Sequence, residues 1–231
     1  MTISIIPVGG MPEVRPGDDL AELVSERAAL LEGDVLVVTQ KVVSKAEGRL
    51  VSMDTDDPRS GAVLVEREST RVLRRRGDLV ISETRQGLVC ANAGVDLSNV
   101  MPGWAALLPE DGDRSARRIR EALRARTGAS LGVIVSDTFG RPWRRGSTDV
   151  AIGCAGVAAV LDLRGKADAF GRPLQVTEVC VADELTSAAE LVMGKAAGIP
   201  AAIVRGVDPA WLRPSSVSAE VVRRPEEDLF R

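Results

Sequence analysis

Apolar runs and helical stripes alternate along the chain and divide it into short elements separated by glycine-rich turns. Ile3 to Val8 reads as a first strand, broken by Gly9-Gly10-Met11-Pro12 and turned by Pro16-Gly17 toward a helix. Asp18 or Asp19 caps that helix. Asp19-Leu20-Ala21-Glu22 is a capping-box variant, and Leu20, Leu23, Val24 and Leu31 form the apolar stripe. Gly33-Asp34 turns into the strand Val35-Leu36-Val37-Val38-Thr39. The following Gln40 to Arg49 is too polar for a central strand and reads as a loop, with either a functional role or a merely solvated one. Pro58 stands where a helix can begin, and the segment to Arg76 keeps helical spacing.

Gly77-Asp78 ends that segment. Leu79 to Glu83 and Leu88 to Ala91 then flank Thr84-Arg85-Gln86-Gly87 as a β-hairpin. Asn92 to Asn99 is a loop of small residues with one acid and two amides, a composition that suits close backbone approach and ordinary turns alike. Asp113 or Ser115 can cap a basic amphipathic helix from Ala116 to Arg126, stopped by Gly128. Beyond it come a strand at Val133, a Gly/Ala/Val-rich region from Ser147 to Gly153, and a strand from Leu174 to Cys180. Asp183 and Glu184 precede a helical run from Leu185 to Ala196, and Met193 to Pro200 loops into the buried strand Ala201 to Val204. No linker or repeat interrupts the series, so residues 1–231 are expected to form a single domain.

Composition narrows the chemistry. With 45% hydrophobic residues over 231, the chain can bury a large core. It has no histidine, and Cys90, Cys154 and Cys180 are far apart, so zinc is not expected and any metal should be Mg or Mn. The same thiols give no disulfide framework and read as core residues, and no leader-like segment opens the chain, which points to a reduced cytoplasmic protein. No apolar run is long enough to span a membrane. A net charge of −3 and the lack of tyrosine argue against nucleic acid as a partner.

The most informative stretch is Val133 to Gly146, where an apolar strand ends on Asp137 and Thr138 beside a loop carrying Arg141, Arg144 and Arg145. Asp137 and Thr138 offer hard oxygens to a cation, and the guanidinium groups can neutralise phosphate oxygens. The competing readings are an acid that caps a turn and arginines that form surface ion pairs.

Several segments occur together in order: Gly17-Asp18-Asp19-Leu20, Gly33-Asp34-Val35-Leu36-Val37-Val38, Ser44-Lys45-Ala46-Glu47-Gly48-Arg49, Asn92 to Asn99, Asp137-Thr138 with Arg144-Arg145-Gly146, and Val181-Ala182-Asp183-Glu184. From Pro7 to about Arg205 the chain thereby resembles the coenzyme F420-0 gamma-glutamyl ligases, in the form without a nitroreductase-like domain. That resemblance implies an α+β fold of mixed sheets with two intertwined subdomains, and a homodimer with its active site near the interface. It implies a GTP-dependent ligase that joins L-glutamate to the carboxylate of a phospholactyl deazaflavin, coenzyme F420-0, and then adds further gamma-linked glutamates. Two divalent sites, Mg2+ or Mn2+, are implied, with K+ as an optional further cation.

Position by position, Asp96 and Asp137 match ligands of one metal and Thr138 a ligand of the second. Gly9, Gly10, Met11 and Pro12 match a first nucleotide-contacting turn, and Lys45, Asn99 and Gln40 match nucleotide contacts, Gln40 standing where some relatives have serine. The loop of Met193, Gly194, Lys195, Ala196, Ala197, Gly198 and Ile199 matches a further GTP-contacting segment, shorter here than in archaeal relatives. Arg144 and Arg145 are read from the sequence as catalytic phosphate clamps. No P-loop of the GxxxxGK[ST] type occurs, so the nucleotide needs another cradle. A same-fold ligase for another amino acid or a variant deazaflavin, and a catalytically silent nucleotide-binding relative, remain as alternatives.

Overall fold

Val35-Leu36-Val37-Val38 is apolar at four consecutive positions, and the computed structural model, which describes residues 2–230, buries all four. A strand can do this only with protein on both faces. Strands β1 (Ser4–Pro7) and β2 (Val35–Thr39) are separated by helix α1 (Leu20–Ser25), and helix α2 (Gln40–Ala46) follows β2 directly. Then come β3 (Leu50–Ser52), α3 (Ser60–Glu68), β4 (Ser69–Arg76), β5 (Leu79–Thr84), β6 (Val89–Ala91) and β7 (Trp104–Ala106). The second half contains α4 (Gly112–Thr127), β8 (Gly132–Arg141), β9 (Arg144–Ala155), β10 (Leu161–Asp162), β11 (Glu178–Val179), α5 (Val181–Met193), β12 (Ala201–Arg205) and α6 (Val217–Glu220). The mixture of helices and several sheets is the α+β class expected from the sequence.

The principal sheet has the order β1-β12-β2-β8-β9, with β2 and β8 parallel and the other neighbours antiparallel. Alternate side chains separate its two faces. Leu36, Val38, Val133 and Val135 pack with Leu20 and Val24 of α1 and Ala116, Ile119 and Leu123 of α4. Val35, Val37 and Ile134 pack on the other side with Val181, Leu185, Ala189 and Met193 of α5. Close approach of α4 to β9 requires glycine, since a Cβ on Gly153 would stand 2.0 Å from the carbonyl carbon of Gly112. At that contact buried Asp113 accepts the N–H groups of Cys154, Val217 and Ser218, tying α4, β9 and α6 together.

Several local expectations are corrected. The polar segment from Gln40 is a helix, because Gln40, Val43, Ser44 and Lys45 turn inward while Glu47 faces out and Lys41 lies half-buried against Asp96. Helix α1 stops at Ser25, and Leu31 lies beyond it, half exposed. The helix expected to reach Arg76 ends at Glu68, and residues 69–76 pair with β5 across the Gly77-Asp78 turn to make a three-stranded sheet with β6. Asp111, rather than Asp113 or Ser115, caps α4 and accepts from the Arg114 N–H. Only Glu178 and Val179 of the expected Leu174 to Cys180 strand pair, and α5 begins at Val181, placing Asp183 and Glu184 in its first turn, where carboxylates favour the positive end of the helix dipole. Cys90 and Cys154 are buried as expected, and Cys180 is half-buried.

Candidate active site

Strand direction gathers the chemistry at one edge of the principal sheet. The carboxyl ends of β1, β2 and β8 and the amino end of β12 all meet there, as the pairs Pro7 with Ala202, Val38 with Ala201, and Thr39 with Ser136 show. The backbone carries the loops along the same edge, since Val8 N–H donates to Ala201 and Thr39 N–H to Pro200. Residues 9–12, the start of α2, Asp137 and the 193–200 loop therefore share it. The crevice beyond the carboxyl ends of parallel strands is where α/β sheets hold ligands.

Past Ser136, β8 leaves β2 and continues with β9 as a two-stranded ribbon, so Asp137 and Thr138 stand at the ribbon's base. Thr138 faces Asp149 in the register and donates its hydroxyl to that carboxylate at 2.5 Å. Asp149 is 1% exposed and also accepts from Ser136 at 3.2 Å and from Lys195 Nζ at 3.2 Å. From α5, the hydroxyls of Thr186 and Ser187 bond its backbone carbonyl. Asp96 is fixed by a bridge to Ala106, accepts the Ser98 N–H at 2.7 Å, and pairs with Lys41 Nζ of α2 at 2.7 Å.

Negative charge is in excess here. Burial, followed by the nearby charges of Asp96 and Asp149, pushes the Asp137 carboxyl up to about 7, against the Thr138 N–H and Lys195, which favour its ionised form. Burial also works to raise Asp96, but the Lys41 ammonium and the Ser98 donors prevail and hold it below the usual carboxylate range. Glu190, behind Lys195, is raised by burial and by the charge of Asp149. All three thiols are pushed up to about 12 by burial, so none is a ready nucleophile.

Among the described residues no three His, Cys, Asp or Glu side chains close into a complete metal cage. The donor set nevertheless fits Mg or Mn. Such ions take hard oxygens, use one or two carboxylates, and complete their shell with water and substrate phosphate rather than a full protein cage. Asp137 and Asp96 would supply carboxylate oxygens. Because Thr138 gives its proton to Asp149, its oxygen lone pairs stay open to a cation.

The remaining sequence-derived positions fall into place unevenly. Lys45 is buried and ion-paired with Glu13, which joins α2 to the turn of Gly9, Gly10, Met11 and Pro12. Gly10 has φ 69°, and its carbonyl accepts from Arg27. Gln40 is buried and accepts the Ser44 hydroxyl inside α2, so its side chain is engaged with its own helix. Asn99 is exposed and left-handed at φ 52°. Met193, the last residue of α5, packs in the core at 0% exposure, while residues 194–198 are exposed and Lys195 reaches back to Asp149 and Glu190. Arg144 and Arg145 lie at the exposed far end of the ribbon, so they are not packed against the acids. Sequence reading missed Asp149, Lys41, Glu190 and Glu13. For Asp149 the signal was an acid at the start of an otherwise apolar strand run. A cleft of about 390 Å³ beside Pro12 and Glu13 is lined by Asp18, Asp19 and Glu22, which repel phosphate.

A family model described as F420-0:gamma-glutamyl ligase matches residues 10–206. The chain is similar to the coenzyme F420:L-glutamate ligase of Methanopyrus kandleri, 48% identical over 100% of this chain and 98% of the relative. The protein of the same name from Methanothermobacter thermautotrophicus is 44% identical over 100% of both chains. That from Archaeoglobus fulgidus is 42% identical over 100% of this chain and 97% of its own length. A family match over residues 10–206 and relatives 42–48% identical across the whole chain make the chain a member of the F420-0:gamma-glutamyl ligase family.

Proposed function

We propose that this protein is a GTP-dependent ligase that joins L-glutamate to coenzyme F420-0 and extends the product with further gamma-linked glutamates. The names of its relatives support the acceptor and the amino acid. The observation that carries the reading is the surplus of carboxylate at Asp96, Asp137 and Asp149, at the sheet edge where the glycine turn, Lys45 and the 193–200 loop also meet. A carboxylate is a poor electrophile and needs activation. Transfer of the γ-phosphoryl group of GTP to the F420-0 carboxylate forms an acyl phosphate and GDP. The glutamate amine then attacks the acyl carbon and expels inorganic phosphate.

Mg or Mn, held by Asp96, Asp137 and Thr138, would offset the phosphate charge. Lys45 and the backbone of residues 9–12 suit the nucleotide, and Lys195 can exchange Asp149 for a phosphate oxygen with little cost because its side chain is 60% exposed. The high thiol values and the absence of histidine favour direct transfer between substrates over a covalent enzyme intermediate. The active species is proposed to be a homodimer.

The test is mass spectrometry of F420-0 carrying oxygen-18 in its carboxylate, after incubation with GTP, glutamate and Mg or Mn. Glutamylated deazaflavin, GDP and phosphate bearing one label are expected. Unlabelled phosphate, or GMP with pyrophosphate, would remove the acyl phosphate route. Transfer of another amino acid in preference to glutamate would favour the same-fold alternative.

A further inference from the structure

Beyond Ser136 no strand among the described residues pairs with the other side of the β8–β9 ribbon, which ends in a two-residue turn in which Arg141 pairs with Arg144 across Pro142-Trp143. Proline first and a positive φ second is a type II turn, whose second position normally takes glycine. Here it is Trp143, at φ 59°. A bulky residue in that region is strained, and such strain collects at ligand clamps. Nothing in the core holds the residue there, since Trp143 is 85% exposed. Its only ring neighbour among the described residues is Phe230, at a centroid distance of 5.4 Å.

The chain has three Trp, three Phe and no Tyr, so an exposed pair of rings at one point uses a third of its aromatics. Around this pair Arg141, Arg144 and Arg145 are exposed and, among the described residues, make no ion pair. A flat apolar face beside unneutralised guanidinium groups suits a molecule that combines a planar ring with a phosphate. The ribbon also sets a distance. Arg141 is three residues beyond Thr138, about 10 Å at strand rise, with Trp143 further out.

We propose that the tip is the subsite for the aromatic end of the acceptor: Trp143 stacks on the planar ring, and the exposed Arg141, Arg144 and Arg145 reach back along the ribbon toward the phosphate that links the ring's side chain to the lactyl group. The inference rests on the ligase reading, in which the acceptor is a phospholactyl deazaflavin with the ring at one end, the carboxylate at the other, and the phosphate bonded to the lactyl group that bears the carboxylate. Lying along the ribbon, such a molecule brings its carboxylate to Asp137 and Thr138 at the base. The arginines then serve the acceptor's phosphate rather than the γ-phosphate of GTP.

Binding of F420-0, followed by the anisotropy of deazaflavin emission, tests this in wild type, Trp143→Ala, Trp143→Phe and Trp143→Gly. The dissociation constant and the KM for F420-0 should rise at least tenfold in Ala and Gly and stay within threefold of wild type in Phe. The kcat at saturating F420-0 and the KM for GTP should not change. Trp143→Gly should melt at the same temperature as wild type or higher, because glycine relieves the turn while the subsite is lost. Wild type that turns over F420-0 while Trp143→Ala keeps its KM overturns the subsite and leaves the ligase reading intact. Wild type that neither binds nor uses F420-0 overturns both. Activity lost in step with a drop in mass by light scattering would make the tip a subunit contact, which also overturns the subsite.

Discussion

Asp149 accepts from Ser136, Thr138 and Lys195 while remaining sealed from solvent, so its charge organises three neighbours at once. Asp149→Asn should fold, since amide and carboxylate are close in volume. It should weaken Mn2+ binding by roughly 10- to 100-fold, the usual cost of losing a group that orients a metal ligand. Electron paramagnetic resonance of free Mn2+ measures this without turnover, and unchanged affinity would detach Asp149 from the proposed metal site. Asp137→Asn should cost at least 100-fold in turnover at limiting metal with the melting temperature preserved. Lys45→Ala should raise the KM for GTP about tenfold, the scale of one charge-assisted contact. Stability should suffer little, because the partner Glu13 is largely exposed. Asp137 and Thr138 could be picked out as candidates because the apolar run of β8 ends on them. Asp149 was not, because its role comes from cross-strand register with Thr138, and register is not written in either strand alone.

At the scale of elements, Gly153 and Gly112 let α4 lie on β9 with no intervening side chain. Gly153→Ala places a methyl carbon inside backbone and should destabilise by about 3 kcal/mol or prevent folding, as read by urea denaturation. Helix α6 is held by a pair, Arg213 with Glu220, whose carboxylate also accepts the Val160 N–H. Burial works to raise Glu220, but the Arg213 bond and the Val160 N–H prevail and hold it below its ordinary 4.5. A depressed folded value stabilises above the unfolded one, so this contribution is intact above about 4.5 and fades as pH falls through the folded value. Glu220→Gln should remove up to about 1 kcal/mol at pH 7, given its partial exposure, and flatten the acid limb of a melting profile. The β2 strand was legible from its apolar run. Helix α2 was not, because the inward positions Gln40, Ser44 and Lys45 are polar, and a polar buried face leaves no apolar stripe to detect. Residues 69–76 kept a helical spacing by coincidence of their arginines, and only pairing with β5 decides the strand.

For the whole molecule, class and family were legible because many short segments recur in one order, whereas the gathering of four loops at one sheet edge depends on a topology that no local pattern encodes. That topology also fixes when the protein can exist. Strand β12 lies between β1 and β2, so β1 has no neighbour until residues 201–205 are available, and the last strand of the sheet to be synthesised must insert between two that have waited. Entropy is a minor obstacle, since loop closure grows only with the logarithm of length. Timing is the larger one. On the ribosome, the exposed edge of Val35-Leu36-Val37-Val38 stays open for most of translation and is a template for pairing with another nascent chain. Synthesis of this protein should therefore lean on chaperones that shield unpaired strands until residues 201–205 have emerged.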